Sequence, residues 1–425
     1  MRTRKRRASN VSKGGKTEKS IRIIVLVPQG SKEDLRDEHL LSELISDQVP
    51  MALPPGKSAS AQSARAVGNI IKNMFKNKKT YSPSVNEKLA LMSDGTVHNM
   101  FGCQEMDELM NDGTPMVKVN DICVHYIQEE AREVLLSNLE ASRTVHCSKI
   151  ITPRQAQTNC WFNTMFVMFF VSDKGRKFFK YFRAMMIMGL KGDLIKNRDS
   201  VQQLTHLKNK KDVLSRDLHK SFFLLNLAIE ACLTGNEYAY SLNTNDLILE
   251  IHAAIANSPG GSRHIRDIFK PGQHGNPFSY YFAIMSFLSD GTIRILEIQY
   301  DSVDNVKNQI VAASISQPPH IVLVTIENQE KDDNFEHPKT YNVKGVQYSL
   351  DAALIVSDDE LHWTCLLTCN EKGYAYDGGS FTRLIPFDWM KRALNTPNIY
   401  RFKTFTDKTY SFDGPSQTLL YYRVK

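Results

Sequence analysis

The chain has 425 residues, of which 42% are hydrophobic and 23% are charged, and this is the composition of an ordinary globular protein. It excludes wholesale disorder, collagen and a coiled-coil rod, and the length allows two or three domains. The longest apolar run, Trp161 to Val171, is well short of the ~20 residues that a bilayer span needs, so the sequence predicts no membrane association.

The formal net charge of +7 comes from the amino terminus. Residues 1–19 contain eight basic residues and one acidic residue, so the basic and acidic residues of the remaining chain cancel. A neutral body argues against a nucleic-acid-binding domain, whereas residues 1–20 are predicted to be a basic, disordered tail that binds a polyanion or an import receptor. The alternative interpretation is a disordered end that only adds solubility.

Seven scattered cysteines predict free thiols in a reducing compartment, because a chain of this size does not need disulfides for its stability. The apolar run nearest the amino terminus, Ile21 to Val27, contains Arg22 and is closed by Pro28, so no secretory signal is expected. Together these observations predict an intracellular protein of the cytoplasm or the nucleus.

Residues 21–145 are predicted to form an amino-terminal segment to which we assign no chemistry. The segment opens with a buried strand at 21–27, which is rich in Ile and Val. A stretch rich in Pro, Gly, Ser and Ala at 49–64 indicates a flexible linker and a boundary. Helical periodicity marks three further stretches, at 32–45, 66–75 and 127–139.

Residues 146–425 are predicted to form a second, larger domain. Helical patterns occupy its first half, at 160–171, 176–188, 213–233 and 247–255. Strand patterns occupy its second half, at 291–300, 320–326, 344–356, 362–369, 373–377 and 417–424. Helices first and strands second indicate an α+β fold in which a helical lobe packs against an antiparallel sheet.

The segment from Gln155 to Asn163, QAQTNCWFN, passes abruptly from polar residues to an apolar helical run. This pattern places Cys160 at or near the amino terminus of a helix. The unpaired N–H groups and the helix dipole at that position favour the thiolate form of a cysteine, so Cys160 is a candidate nucleophile. The alternative interpretation is a small buried cysteine at the start of a core helix.

The strand patterns on either side of residues 370–373 predict a β-hairpin. His362 lies near the start of the first strand and Asp377 at the end of the second, so both are expected at the same edge of the sheet. Neighbouring strands are ~4.8 Å apart, which lets the carboxylate reach the imidazole. A thiol nucleophile needs such a base, and the base needs a third group to fix its tautomer. Taken singly, His362 is also compatible with a histidine buried in the core, and Asp377 with an ordinary turn residue.

Five segments resemble, in the same order, motifs of the ubiquitin-specific protease family of papain-like cysteine peptidases. TNCWFNTMF at 158–166 is similar to the family's NTCYMNSxLQ, and PPHIVLVTI at 318–326 to its LPxxLxIxLxRF strand. YSLDAALIV followed by HWT, within 348–364, is similar to YxLxAVIxHxGxxxxGHYxxY. YAYD at 374–377 is similar to WYxFD, and QTLLYYR at 417–423 to the closing YxLxYxR strand.

The resemblance covers residues 146–425 and implies a papain-like cysteine peptidase domain. It implies Cys160 as the nucleophile, His362 as general base and then acid, and Asp377 as the residue that orients His362. The family's oxyanion-hole side chain lies five residues before the cysteine, which implies Gln155 in a position where the family usually has Asn. The implied reaction is thiol-dependent cleavage after the Gly-Gly end of ubiquitin or a ubiquitin-like modifier, and it requires no cofactor.

Three positions depart from the family's motifs. Leu361 stands where the family has Gly, Trp363 where it has Tyr, and Gly378 where it has a second Asp. The chain also lacks a CxxC pair, so the family's zinc-bearing fingers are expected to be absent or metal-free, and we predict no metal site. These departures predict a divergent member, of the kind that a large DNA virus encodes, acting in the host cell or the virion.

Two alternative functions fit the same residues. One is a viral or structural precursor-processing cysteine protease, which shares the mechanism and takes a precursor polypeptide as its substrate. The other is a catalytically inactive scaffold of the same fold that binds ubiquitin-like or capsid partners. The Gly14-Gly15 pair in the basic tail adds the hypothesis that the enzyme cuts its own chain after Gly15, although a flexible joint is the simpler interpretation.

Overall fold

A computed structural model describes most of residues 100–425 and one short stretch near the amino terminus. The described ranges are 22–26, 100–103, 114–141, 145–155, 158–191, 214–241, 244–258, 277–289, 293–315, 317–326, 338–357, 362–392, 398–403, 409–412 and 417–424. Several sequence predictions lie outside these ranges: the basic tail with Gly14-Gly15, the helices at 32–45 and 66–75, and the linker at 49–64.

Nine α-helices lie in the described part of the chain. They are α1 (Glu129–Glu140), α2 (Cys160–Phe170), α3 (Asp173–Met188), α4 (Arg216–Thr234), α5 (Tyr238–Ser241), α6 (Thr244–Asn257), α7 (Pro277–Leu288), α8 (Val303–Ala313) and α9 (Trp389–Arg392). The five helical patterns predicted between residues 127 and 255 correspond to α1, α2, α3, α4 and α6. None of the helices in these ranges has the length and apolar character to cross a membrane.

The described strands are distributed along the whole chain. They are β1 (Arg22–Leu26), β2 (Met116–Val119), β3 (Ile122–His125), β4 (Ile295–Gln299), β5 (Ile321–Ile326), β6 (Thr340–Val343), β7 (Val346–Val356), β8 (Trp363–Cys369), β9 (Lys372–Tyr376), β10 (Ile385–Pro386), β11 (Asn398–Lys403), β12 (Thr409–Phe412) and β13 (Gln417–Arg423).

An eight-stranded sheet is the main sheet of the fold. Its order is β10-β9-β8-β7-β13-β5-β4, and β6 pairs with β7 outside this path. The fold is therefore α+β, as predicted. The expectation of a purely antiparallel sheet is wrong at one edge, because β4 and β5 run parallel. Parallel neighbouring strands need a crossover connection, and helix α8 provides it. This helix is not among those predicted from the sequence.

Helix α2 lies between the sheet and the other helices, and all of its residues are buried. A helix that is apolar on every side has to be covered on every side. Against β8, the Thr164 hydroxyl donates to the Trp363 carbonyl at 3.0 Å, and the Cys365 sulfur lies 3.9 Å from the Thr164 carbonyl. These contacts fix the start of α2, which is Cys160, relative to the strand that follows His362.

Asp351 of β7 joins the sheet to α3. Its buried carboxylate accepts hydrogen bonds from the N–H groups of Lys174 and Gly175, both at 2.9 Å, and from the hydroxyls of Ser172 and Thr368, both at 2.5 Å. Burial raises the pKa of Asp351, although the charge of Lys174 and these hydrogen bonds act in the opposite direction. The carboxylate thus caps the first turn of α3 and ties it to two neighbouring strands.

Two disulfide bonds, Cys103–Cys123 and Cys147–Cys369, join four of the seven cysteines. The prediction of free thiols is wrong for these four, and the inference from it to a reducing compartment loses its basis. Cys147 and Cys369 are 222 residues apart, so spacing along the sequence gives no indication of their bond. The remaining three cysteines form no disulfide bond and are buried: Cys160, Cys232 and Cys365.

The described part of the amino-terminal segment packs onto the larger domain at two places. Val117 of β2 and Leu135 of α1 belong to the same buried cluster as the residues of α3 and α4. Strand β1, which corresponds to the strand predicted at 21–27, pairs in parallel with β11 and places Ile24 opposite Tyr400. The beginning and the end of the chain therefore share one three-stranded sheet, in the order β1-β11-β12.

Candidate active site

Cys160 is the first residue of α2 and is 3% exposed. The carbonyl of Asn159 accepts the N–H of Asn163 at 3.0 Å, which closes the first turn of the helix. The N–H groups of a first turn have no partners within their own helix, and the helix dipole adds partial positive charge at the same end. A thiolate or an oxyanion at Cys160 is therefore in a favourable electrostatic position.

A chain of buried hydrogen bonds holds this first turn in place. The Asn159 side-chain amide donates to Thr244 Oγ1 at 2.6 Å, the Thr244 hydroxyl donates to Asn163 Oδ1 at 2.8 Å, and the Asn163 amide donates to the Arg154 carbonyl at 2.9 Å. Sequence reasoning missed this network. The signal for it was Asn163, a polar residue inside an apolar helix that has to be satisfied by hydrogen bonds.

His362 and Asp377 are in direct contact. His362 immediately precedes β8 and Asp377 immediately follows β9, and His362 Nε2 lies 2.8 Å from Asp377 Oδ1. Both side chains are almost fully buried. Burial acts to lower the pKa of His362, but the hydrogen bond and charge of Asp377, together with the Cys160 thiol, raise this pKa to about 10. The imidazolium form therefore dominates at neutral pH, next to the sulfur.

The turn after β9 arranges the carboxylate of Asp377. Its Oδ1 also accepts the N–H of Gly379 at 3.0 Å, and its Oδ2 accepts the hydroxyl of Ser380 at 2.5 Å. The Asp377 carbonyl accepts the N–H groups of Ser380 and Phe381 at 3.1 and 2.9 Å. Ser380 is not among the residues that the sequence motifs predict. Its signal was a small hydroxyl residue three positions after the candidate carboxylate, where a turn brings the two together.

Gln155 lies against the same turn. Its N–H donates to the Gly378 carbonyl at 3.1 Å, and two residues earlier the Pro153 carbonyl accepts the Tyr376 hydroxyl at 2.9 Å. The side-chain oxygen of Gln155 is buried and has no hydrogen-bond partner in the structure. Such a polar atom is unusual and is typical of a group whose partner is a ligand.

All four residues predicted from the sequence are thus near one another. His362 hydrogen-bonds to Asp377, Gln155 hydrogen-bonds to the turn that carries Asp377, and Cys160 is close enough to His362 to raise the pKa of its imidazole. Leu361, one of the departures from the family motif, lies outside the described residues. No group of three His, Cys, Asp or Glu side chains suited to a metal ion occurs in the described ranges.

The departure at Gly378 has a steric explanation. A Cβ atom at this position would lie 2.7 Å from the Tyr376 hydroxyl, 3.0 Å from the Gln155 nitrogen and 3.1 Å from the Pro153 carbonyl oxygen. Two of these atoms belong to the backbone and cannot move away independently of the chain. The close approach of residues 153–155 to the Asp377 turn therefore requires glycine.

Gly378→Ala is expected to lower the free energy of unfolding by about 1–3 kcal/mol, because the added methyl overpacks the turn. Gly379→Ala is the matched control. Its Cβ would lie nearest to side-chain atoms, namely Gln155 Oε1 at 3.2 Å and Asp377 Oδ1 at 3.6 Å. Urea titration of both variants measures the difference. Equal losses of stability in the two variants would contradict the steric explanation.

Comparison with known proteins finds only solved structures of low similarity. No protein-family model matches the chain, and no curated protein matches it. Solved structures similar to it include an essential yeast splicing factor, with a TM-score of 0.36, 11% identity, and coverage of 73% of this chain and 83% of that one. Another is the SAGA DUB module of Ubp8, Sgf11, Sus1 and Sgf73 bound to monoubiquitin, with a TM-score of 0.39, 7% identity, and coverage of 91% and 99%. A third is this module bound to ubiquitin aldehyde, with a TM-score of 0.37, 8% identity, and coverage of 67% and 71%. At these TM-scores the similarities do not support an inference about fold family or function.

Proposed function

We propose that the protein is a papain-like cysteine peptidase of the deubiquitinase type, which cleaves after the Gly-Gly end of ubiquitin or a ubiquitin-like modifier. The observation that carries the proposal is the hydrogen bond between the buried side chains of His362 and Asp377, next to a cysteine, Cys160, that begins α2 and raises the pKa of His362. A nucleophile, a base and a residue that orients the base are the three groups that thiol-dependent acyl transfer requires. The motif resemblance of residues 146–425 supplies the substrate class.

The proposed reaction begins with attack of the Cys160 sulfur on the carbonyl carbon of the scissile bond. The backbone N–H of Cys160 and the side-chain amide of Gln155 stabilise the resulting oxyanion. The imidazolium of His362 then donates its proton to the leaving amine as the C–N bond breaks, which leaves a thioester and a neutral imidazole. The imidazole takes a proton from water, the resulting hydroxide attacks the thioester, and the thiolate leaves.

The electrostatics support a slightly different first step from the one implied by the resemblance. The family's histidine was expected to act as a general base first. Because Asp377 and Cys160 raise the pKa of His362 to about 10, the proton already resides on the imidazole at neutral pH. An adjacent imidazolium favours the thiolate. We therefore propose that His362 acts first as an acid and afterwards as a base.

Ubiquitin carrying a carboxyl-terminal vinyl sulfone tests the proposal. The probe should form a covalent adduct with the wild-type protein, visible as a mass increase of one ubiquitin, and none with Cys160→Ala. Cys232→Ala is the matched control, since Cys232 is also a free, buried thiol but lies in α4. This variant should react like the wild type.

A negative result can be interpreted if iodoacetamide labelling is run in parallel. Labelling of Cys160 by iodoacetamide without any ubiquitin adduct would reject the ubiquitin-type substrate and favour the precursor-processing protease. A Cys160 thiol that reacts with neither reagent would favour the inactive scaffold. Adduct formation in Cys160→Ala would reject this residue as the nucleophile.

For the amino-terminal tail we propose binding to a polyanion or an import receptor, on the basis of its charge alone. Residues 1–19 carry the whole net charge of the chain, and counterion release makes such binding sensitive to salt. Cleavage after Gly15 remains a separate hypothesis. Its products would be seen by intact-mass measurement of the wild type beside Cys160→Ala.

A further inference from the structure

We propose that Ser380 is a positioning residue for His362, acting through Asp377; this inference rests on the proposed function. Ser380 is fully buried, and its hydroxyl donates to Asp377 Oδ2 at 2.5 Å. The opposite oxygen, Oδ1, is shared by His362 Nε2 at 2.8 Å and the Gly379 N–H at 3.0 Å. The two carboxylate oxygens are therefore held on opposite sides, and Oδ1 is directed at the imidazole.

The hydroxyl holds the carboxylate of Asp377 in one orientation. This carboxylate has no exposed surface, so each of its oxygens depends on protein donors instead of water. Removal of the Ser380 hydroxyl takes away the donor of Oδ2, and the carboxylate can then rotate away from His362. A rotated Asp377 no longer stabilises a positive charge on His362. The Ser380 hydroxyl therefore affects the imidazolium through two hydrogen bonds, one from Ser380 to Asp377 and one between Asp377 and His362.

The consequence for Cys160 depends on pH. An imidazolium next to a thiol favours the reactive thiolate at low pH, and here that imidazolium depends on Asp377. At high pH a thiol does not need such a partner to ionise. Loss of the Ser380 hydroxyl should therefore slow the reaction of Cys160 with an alkylating agent at low pH but not at high pH.

The test is the rate of Cys160 alkylation by iodoacetamide at pH 6 and pH 10, followed by mass spectrometry on the full chain. Ser380→Ala should be ~10-fold slower than wild type at pH 6 and within about twofold of it at pH 10. Ser380→Thr, which keeps the hydroxyl, should restore most of the rate at pH 6. Ser380→Cys, close in size but with a weak donor, should fall between them and covers the case in which Ser380→Ala does not fold.

Ser258→Ala is the matched control. Ser258 is a buried serine whose hydroxyl donates to the Ala254 carbonyl at 2.7 Å, next to the end of α6. A general loss of stability caused by deleting a buried hydroxyl would appear in this variant too. Its melting temperature should fall, while the ratio of alkylation rates at the two pH values should not change. A changed ratio in Ser258→Ala, or an unchanged ratio in a folded Ser380→Ala, would overturn the proposal.

Turnover of a fluorogenic ubiquitin amide separates this proposal from the function on which it rests. Ser380→Ala should lower kcat ~10-fold at neutral pH and leave KM unchanged, because the hydroxyl does not touch the substrate. If the wild type does not cleave the substrate but the alkylation ratio still depends on Ser380, the proposed function fails and the positioning role holds. If the wild type cleaves it and neither kcat nor the ratio depends on Ser380, the positioning role fails alone.

Discussion

His362→Ala is expected to lower kcat/KM for a ubiquitin amide substrate by on the order of 10⁴-fold, the size of effect seen when a triad residue is removed elsewhere. The variant loses the acid that protonates the leaving amine and the base that activates water. It also leaves Asp377 as a buried carboxylate without its 2.8 Å partner, so the protein itself is expected to be less stable.

Two further variants separate the chemical loss from the loss of stability. His362→Gln retains an amide that can donate to Asp377, so it should recover stability without recovering turnover. His146→Ala removes an exposed histidine outside the site and should behave like the wild type. The assignment of His362 would be rejected if a folded His362→Gln kept most of the wild-type kcat/KM.

Gln155→Ala is expected to lower kcat by ~10²-fold and to change KM little, because an oxyanion donor acts mainly in the transition state. The structure places the backbone of Gln155 against the Gly378 carbonyl and leaves its side-chain oxygen without a protein partner. Removal of the side chain therefore breaks no hydrogen bond of that oxygen, and the melting temperature should stay close to that of the wild type.

The neighbouring amides provide the comparison. Asn159→Ala removes a buried hydrogen bond to Thr244, so we expect a lower melting temperature from this variant. Gln128→Ala, an exposed glutamine before α1, should have no effect. Gln155→Asn retains an amide of the type usual in the family and should keep more activity than Gln155→Ala. A specific loss of kcat in Asn159→Ala or Gln157→Ala, with Gln155→Ala active, would show that the oxyanion residue was assigned in the wrong register.

The parts of the fold that the sequence predicted are those set by local pattern. Helix α2 follows from an apolar run after a polar segment, and the β8–β9 hairpin follows from two strand patterns around a turn. Helix α8 was missed although Ser302 caps it and accepts the Asn305 N–H at 3.1 Å. Its apolar spacing at Val306 and Ile310 is visible in the sequence, between the strand patterns at 291–300 and 320–326.

The parts of the site that the sequence missed depend on contacts between distant segments. The bond of Asn159 to Thr244 spans 85 residues, and the disulfide from Cys147 to Cys369 spans 222. Neither has a local signature, because the partners are brought together only by the tertiary fold. Ser380 is close to Asp377 in sequence, but the direction of its hydroxyl depends on the turn geometry, which a residue pattern does not define.

The pairing of β1 with β11 has a consequence for the newly made chain. Asn398 is synthesised 376 residues (398 − 22) after its partner Arg22, and at ~5–20 residues per second the interval is roughly 20–75 s. During this time the apolar stretch Ile23 to Leu26 has no strand to pair with, and an unpaired apolar strand promotes aggregation. Charged residues that flank such a strand keep chains apart. We therefore expect the eight basic residues that precede β1 to protect the nascent protein until its carboxyl-terminal sheet has emerged from the ribosome.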